Sequence, residues 1–166
     1  MVNTKNLLES CEQLQQSFNC LLLSTVNEYA QPLASFAPYV EEQGSFYIFV
    51  SELAQHTQNM TKQPVASVMF IESEESARNL YARQRAIIQV SVHLVVETQL
   101  KEKLFAKMEL THGKTINLLR GLTDFKMLEL RPEQGRYVAG FGKAYDWDIK
   151  EKSLTHVTEA VLNKKQ

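Results

Sequence analysis

The chain has 166 residues, with 18 Lys and Arg against 19 Asp and Glu, a net charge of -1, and 44% hydrophobic residues. A chain of this length suits one domain that buries about two thirds of the surface its unfolded form exposes. Its near-balanced, interspersed charge argues against a nucleic-acid binder, which must neutralise many phosphates, and no apolar run reaches the length of a membrane-spanning helix.

Leu7, Leu8, Cys11, Leu14 and Phe18 recur at helical spacing and predict an opening amphipathic helix within residues 1–19. Cys20–Val26 and Pro32–Val40 flank the polar turn Asn27–Ala30, and Glu41–Gly44 leads into a strand Ser45–Val50, a meander of three. A short amphipathic helix, Leu53–Lys62, precedes the β-branched strand Val65–Ile71. After the acidic loop Glu72–Ser76 come a long strand from about Arg85 to Glu97 and a helix marked by Leu100, Leu104, Phe105, Met108 and Leu110 that closes near Gly113. Ile116, Leu118 and Leu119 mark a second helix. Phe125–Leu130 and Arg136–Phe141 read as two strands joined by a turn, Arg131–Gly135, in which Pro132 and Gly135 have obvious uses. The tail after Trp147 is polar, with a last helical turn around Val157–Leu162. Many short strands with few helices predict a mainly β (α+β) antiparallel barrel. The expected layout is a packing helix over 1–19, a barrel over 20–148 and a tail over 149–166, in one domain.

Ser51–Met60 is the most informative segment. A helix start carrying Ser51, Gln55 and His56 offers free amides, hydroxyl and amide side chains and a titratable ring to a phosphate or carboxylate. The plainer alternative is a surface helix capped by Ser51. Arg83 and Arg85 can each fork onto phosphate or carboxylate oxygens, or pair with Glu72, Glu74 or Glu75. Lys143 sits beside Gly142; Gly140 and Gly142 permit close backbone approach to a ligand or to a partner subunit, or else mark a bend at a sheet edge. Cys11 and Cys20 have no zinc or redox spacing and read as small buried residues of a reduced, cytoplasmic compartment. His93 alternates onto a polar strand face and His112 closes a helix, both structural placements. Phosphate-loop, nucleophile-elbow and zinc-helix motifs are absent from the sequence.

Several strings resemble a known family in order and interval: Phe36–Tyr39, Leu53–Met60, Asn79–Arg85, Thr123–Phe125 and Arg131–Ala144. Together they are similar to the haem-utilisation, haem-degrading branch of the pyridoxamine-phosphate-oxidase-like FMN-binding split barrels. The resemblance implies a homodimeric split barrel with small-molecule sites in clefts between subunits, holding FMN in some members and haem in this branch. It places His56 where the wider family has a basic residue for the flavin phosphate, and Asp124 where the branch has an aspartate that tunes an axial histidine. The branch takes that histidine from its C-terminal tail; the matching position here is Val161, and His156 is the remaining candidate for the haem iron. Three readings follow: a haem oxygenase-like enzyme, an FMN-dependent oxidoreductase, and a non-catalytic haem or flavin binding or storage module.

Overall fold

The computed structural model describes residues 4–157. Its elements run α1 (Thr4–Gln16), β1 (Cys20–Val26), β2 (Pro32–Glu42), β3 (Ser45–Ser51), α2 (Gln55–Lys62), β4 (Val65–Ile71) and β5 (Arg85–Leu94), then α3 (Thr98–His112), α4 (Thr115–Arg120), β6 (Phe125–Val138), β7 (Ala144–Asp148) and β8 (Ser153–His156). The strands form one sheet in the order β3-β2-β1-β4-β5-β6-β7-β8, and pairing of β3 with β6 closes the first six into an antiparallel barrel with flanking helices. The mainly β barrel expected from the sequence is what the chain forms.

Alternation sets the strands. In β1, Leu21, Leu23 and Thr25 point inward while Cys20, Leu22 and Ser24 are exposed, the period-2 pattern of a half-buried strand. The β2–β3 hairpin pairs Glu42 with Ser45 across Gln43 and Gly44, whose φ values of 52° and 81° give the turn a twist that matches the flanking strands. β2 therefore runs two residues past the predicted Val40.

The chain divides into two compact units. One comprises Asn19–Val68 and Gln89–Pro132. Its core gathers Val40, Tyr47, Val95, Leu104, Met108, Ile116 and Met127, with Phe49, Leu100 and Phe105 packed against them. Lys103 and Lys107 of α3 reach Glu42 at 2.8 and 3.2 Å, and the Arg120 guanidinium lies 4.2 Å over the Phe105 ring. The other unit holds α1, β7, β8 and the remaining described residues, with Cys11 and Tyr137 fully buried. Burial pushes the Cys11 thiol up to about 12, so it is not a nucleophile at neutral pH. Cys20, expected to be buried, is exposed, because the β1 alternation turns it outward.

Three further expectations are corrected. The predicted turn at Arg131–Gly135 is strand: β6 pairs with β3 through Phe125–Leu130 and with β7 through Gln134–Val138, and Pro132 falls between the two registers. Gly135 serves packing, since a Cβ there would lie 2.7 Å from the Trp147 ring. Gly135→Ala is expected to lower stability by about 1 kcal/mol through overpacking; an unchanged urea midpoint would show that the ring yields freely. The polar tail is a hairpin, pairing Tyr145 with His156 and Asp148 with Ser153, because Tyr145 and Trp147 alternate with Asp146 and Asp148. The predicted helical turn lies outside the described residues beyond Val157, whose N–H extends the hairpin by donating to the Ala144 carbonyl at 2.8 Å. Val161 also lies outside them. Finally, α2 begins at Gln55 with Ala54 at its N-cap and no side-chain cap, so Ser51 does not cap it.

Candidate ligand-binding site

Ser51 is the last residue of β3 and sits opposite Phe125, so strand pairing brings it beside Asp124. Its hydroxyl donates to Asp124 Oδ2 at 2.5 Å and accepts the Leu53 N–H at 3.0 Å. The Glu52 N–H donates to the Asp124 carbonyl at 2.7 Å. The hydroxyl's one proton and one of its two acceptor positions are thus used within the chain. They fix the Asp124 carboxylate by one oxygen and leave Oδ1 without a partner among the described residues.

α2 has a single buried apolar residue, Met60, and also turns Thr57 and Asn59 inward. Asn59 Nδ2 donates to Thr25 Oγ1 at 3.0 Å, and Gln55 Nε2 donates to Asn59 Oδ1 at 3.0 Å. The Gln55 amide is therefore engaged along its own helix. The Thr57 and Gln58 N–H groups both reach the Ala54 carbonyl, which leaves the Gln55 and His56 amides at the helix start without intrahelical acceptors. Among the described residues, His56 Nε2 and Thr57 Oγ1 are buried with no hydrogen-bond partner. Such atoms are uncommon and costly, and here two of them neighbour free helix-start amides. Burial lowers the His56 pKa below its ordinary 6.5, so the ring is neutral at neutral pH. Polar atoms buried without partners fit a group arriving from outside the chain.

On the other unit, Arg83 directs Nε (2.8 Å) and Nη2 onto the Glu72 carbonyl and Nη1 onto Glu74 at 3.4 Å. Its fork is spent on the acidic loop. Arg85 uses Nη1 on the Arg83 carbonyl at 3.0 Å. Lys143 is exposed at the β6–β7 turn, and His156, in β8, places Nε2 3.0 Å from the Gly142 carbonyl of that turn. His93 bonds Ser91, and His112 bonds the Tyr39 carbonyl at 3.0 Å, as structural residues do. Among the described residues, no group of three His, Cys, Asp or Glu side chains could hold a metal ion.

Folding thus joins Ser51 to Asp124 on one unit, and on the other brings Arg85 to the Arg83 carbonyl and His156 to the Gly142 carbonyl beside Lys143. Sequence reasoning missed Thr25, Thr57 and Asn59. The signal was present: an eight-residue helix with one apolar residue must bury polar ones to dock at all.

The family model for pyridoxamine 5'-phosphate oxidase matches residues 7–139. A curated relative, the heme oxygenase HutZ of Vibrio cholerae, is 35% identical over 135 residues, covering 81% of this chain and 77% of its own. Among solved structures, Campylobacter jejuni ChuZ superposes with a TM-score of 0.86 at 28% identity over 96% of this chain, which spans 65% of ChuZ. The structure of Vibrio cholerae HutZ, described as a heme storage protein, gives a TM-score of 0.72 at 32% identity, over 77% of this chain and 91% of its own.

Proposed function

Because the chain belongs to the pyridoxamine 5'-phosphate oxidase family, we propose that it is a haem-utilisation protein that takes haem as substrate and supports its oxygen-dependent degradation with release of iron. A relative 35% identical and named heme oxygenase supports this reading, as does the likeness to ChuZ. The observation that carries it is His56: a neutral imidazole whose buried Nε2 has no partner among the described residues. Haem brings an iron, and neutral imidazole is the form of histidine that a metal takes.

His56, Thr57 and the first α2 amides would hold one edge of the ligand. Asp124, fastened by Ser51, would offer its free oxygen to the N–H of an axial imidazole reaching it across the dimer, the role the resemblance implies. Considered by itself, the other unit offers Arg85 and Lys143 as charge-assisted donors suited to a carboxylate. Bound haem would supply the iron that activates oxygen, with electrons from an external donor, and the protein's part is binding and orientation. The reading includes a homodimer in the cytoplasm; no helix among the described residues is long and apolar enough to cross a membrane.

Two specific observations favour other readings. The free amides and unpartnered Thr57 hydroxyl at the start of α2 suit a phosphate, as an FMN-dependent oxidoreductase requires. The HutZ structure's description as a storage protein suggests binding without turnover. Titrating the apo-protein with hemin and with FMN separates these. Saturable hemin uptake, one per chain, with a Soret band and a dimer by size-exclusion chromatography is expected, followed by loss of that band when a reductant and oxygen are supplied. Tight FMN uptake with only nonspecific hemin binding would replace the haem reading with the flavin one. Saturable hemin that survives reductant and oxygen would leave storage.

A further inference from the structure

Five residues, Ala139 to Lys143, join β6 to β7. The Ala139 N–H donates to the Lys143 carbonyl at 2.9 Å and the Lys143 N–H to the Gly140 carbonyl at 3.1 Å, a tight turn with Phe141 and Gly142 at its tip. Gly140 and Gly142 have φ values of 146° and 68°, and a Cβ on either would meet nothing within 4 Å among the described residues. Glycine is needed here for the left-handed backbone, not for space within the chain. Two glycines also leave the turn with more conformational freedom than any other residue pair would, so its one fixed shape needs outside support.

β8 provides that support. His156 stands opposite Tyr145 in the ladder and packs its ring edge-on against the buried tyrosine, centroids 5.1 Å apart at 81°. From there Nε2 lies 3.0 Å from the Gly142 carbonyl. A carbonyl oxygen only accepts, so Nε2 carries the proton and cannot ligate a metal while the bond stands. The turn it braces presents Phe141, 81% exposed, next to the exposed Lys143, an apolar ring beside an ammonium. That pairing suits a planar apolar molecule bearing carboxylates.

We infer that His156 is a positioning residue: its Nε2–H, held on the Gly142 carbonyl, fixes the glycine turn so that Lys143 can pair with a carboxylate of the ligand, and it does not ligate iron. This rests on the haem reading for the identity of the ligand. Ligation through the free Nδ1 is the competing role, and glutamine separates the two, since its amide N–H can replace the imidazole Nε2–H while its amide is a poor iron donor.

The test titrates the full chain with hemin as wild type, His156→Ala, His156→Gln, Lys143→Ala and the double variant His156→Ala/Lys143→Ala, and follows amide hydrogen exchange at Phe141–Lys143. His156→Ala is expected to weaken hemin binding about 3- to 10-fold, as loss of one hydrogen bond does. The double variant should bind no more weakly than the worse single variant, because both act through one contact. His156→Gln should restore affinity, the Soret position should stay fixed throughout, and exchange in the turn should quicken in His156→Ala but not in His156→Gln. A Soret shift with glutamine as damaging as alanine would make His156 an iron ligand and overturn the inference, as would unchanged exchange in His156→Ala. If the wild type takes up no hemin saturably, the haem reading falls, and the exchange data still decide whether His156 holds the turn.

Discussion

His56→Leu is expected to weaken hemin binding about tenfold or more while leaving the unliganded protein as stable as the wild type, or slightly more so. Among the described residues the buried Nε2 has no partner, so a leucine of similar size removes an unsatisfied atom without breaking a contact within them. A ligand that uses this nitrogen loses its bond. Opposite signs for stability and binding mark a group kept for function. The pH dependence follows from burial, which lowers the ring's pKa below 6.5. As pH falls through 6.5 the unfolded chain takes up a proton that the folded ring resists, so stability falls with pH until the folded group also protonates. Thermal melts between about pH 7.5 and pH 5 should show this loss in the wild type and less of it in His56→Leu. A variant that melts well below the wild type at neutral pH would mean that the ring supports the fold, and the site would lose its central residue.

The elements that sequence reading placed well are those fixed by local alternation. Cys20–Val26 and Val65–Ile71 have the predicted bounds because their inward and outward residues alternate without interruption. The misread segments are those governed by distant partners. Pro132 and Gly135 look like turn residues, yet β6 exchanges one neighbour for another at that point, and Gly135 answers to the Trp147 ring across the β6–β7 pair. The polar tail hid a hairpin because Tyr145 and Trp147 alternate with aspartates, so its two apolar positions never formed a run. The site divides in the same way. His56 was legible as a titratable ring at a helix start. That Gln55 would be taken by Asn59, and Arg83 by the Glu72 carbonyl, was not, because a side chain's competing partners are settled only by the fold.

Asp124→Ala is expected to cost about 2–3 kcal/mol of stability, the range for losing a hydrogen bond to a charged group. Ser51→Ala removes the same bond and also the acceptor for the Leu53 N–H, so its cost should be of similar size. Since the two residues share one contact across 73 positions of sequence, the double variant should lose distinctly less than the sum of the singles. Asp124→Asn isolates the charge: its amide oxygen can still accept from Ser51, so the fold should be largely kept while any influence of the carboxylate on a bound imidazole disappears. Urea denaturation of the four variants, with hemin titration of Asp124→Asn, tests both halves. Additive losses would break the Ser51–Asp124 pairing as the element that fixes the carboxylate. Full hemin affinity and an unchanged spectrum in Asp124→Asn would leave Asp124 a structural residue joining the end of β3 to the start of β6, and His56 would then have to direct the ligand without it.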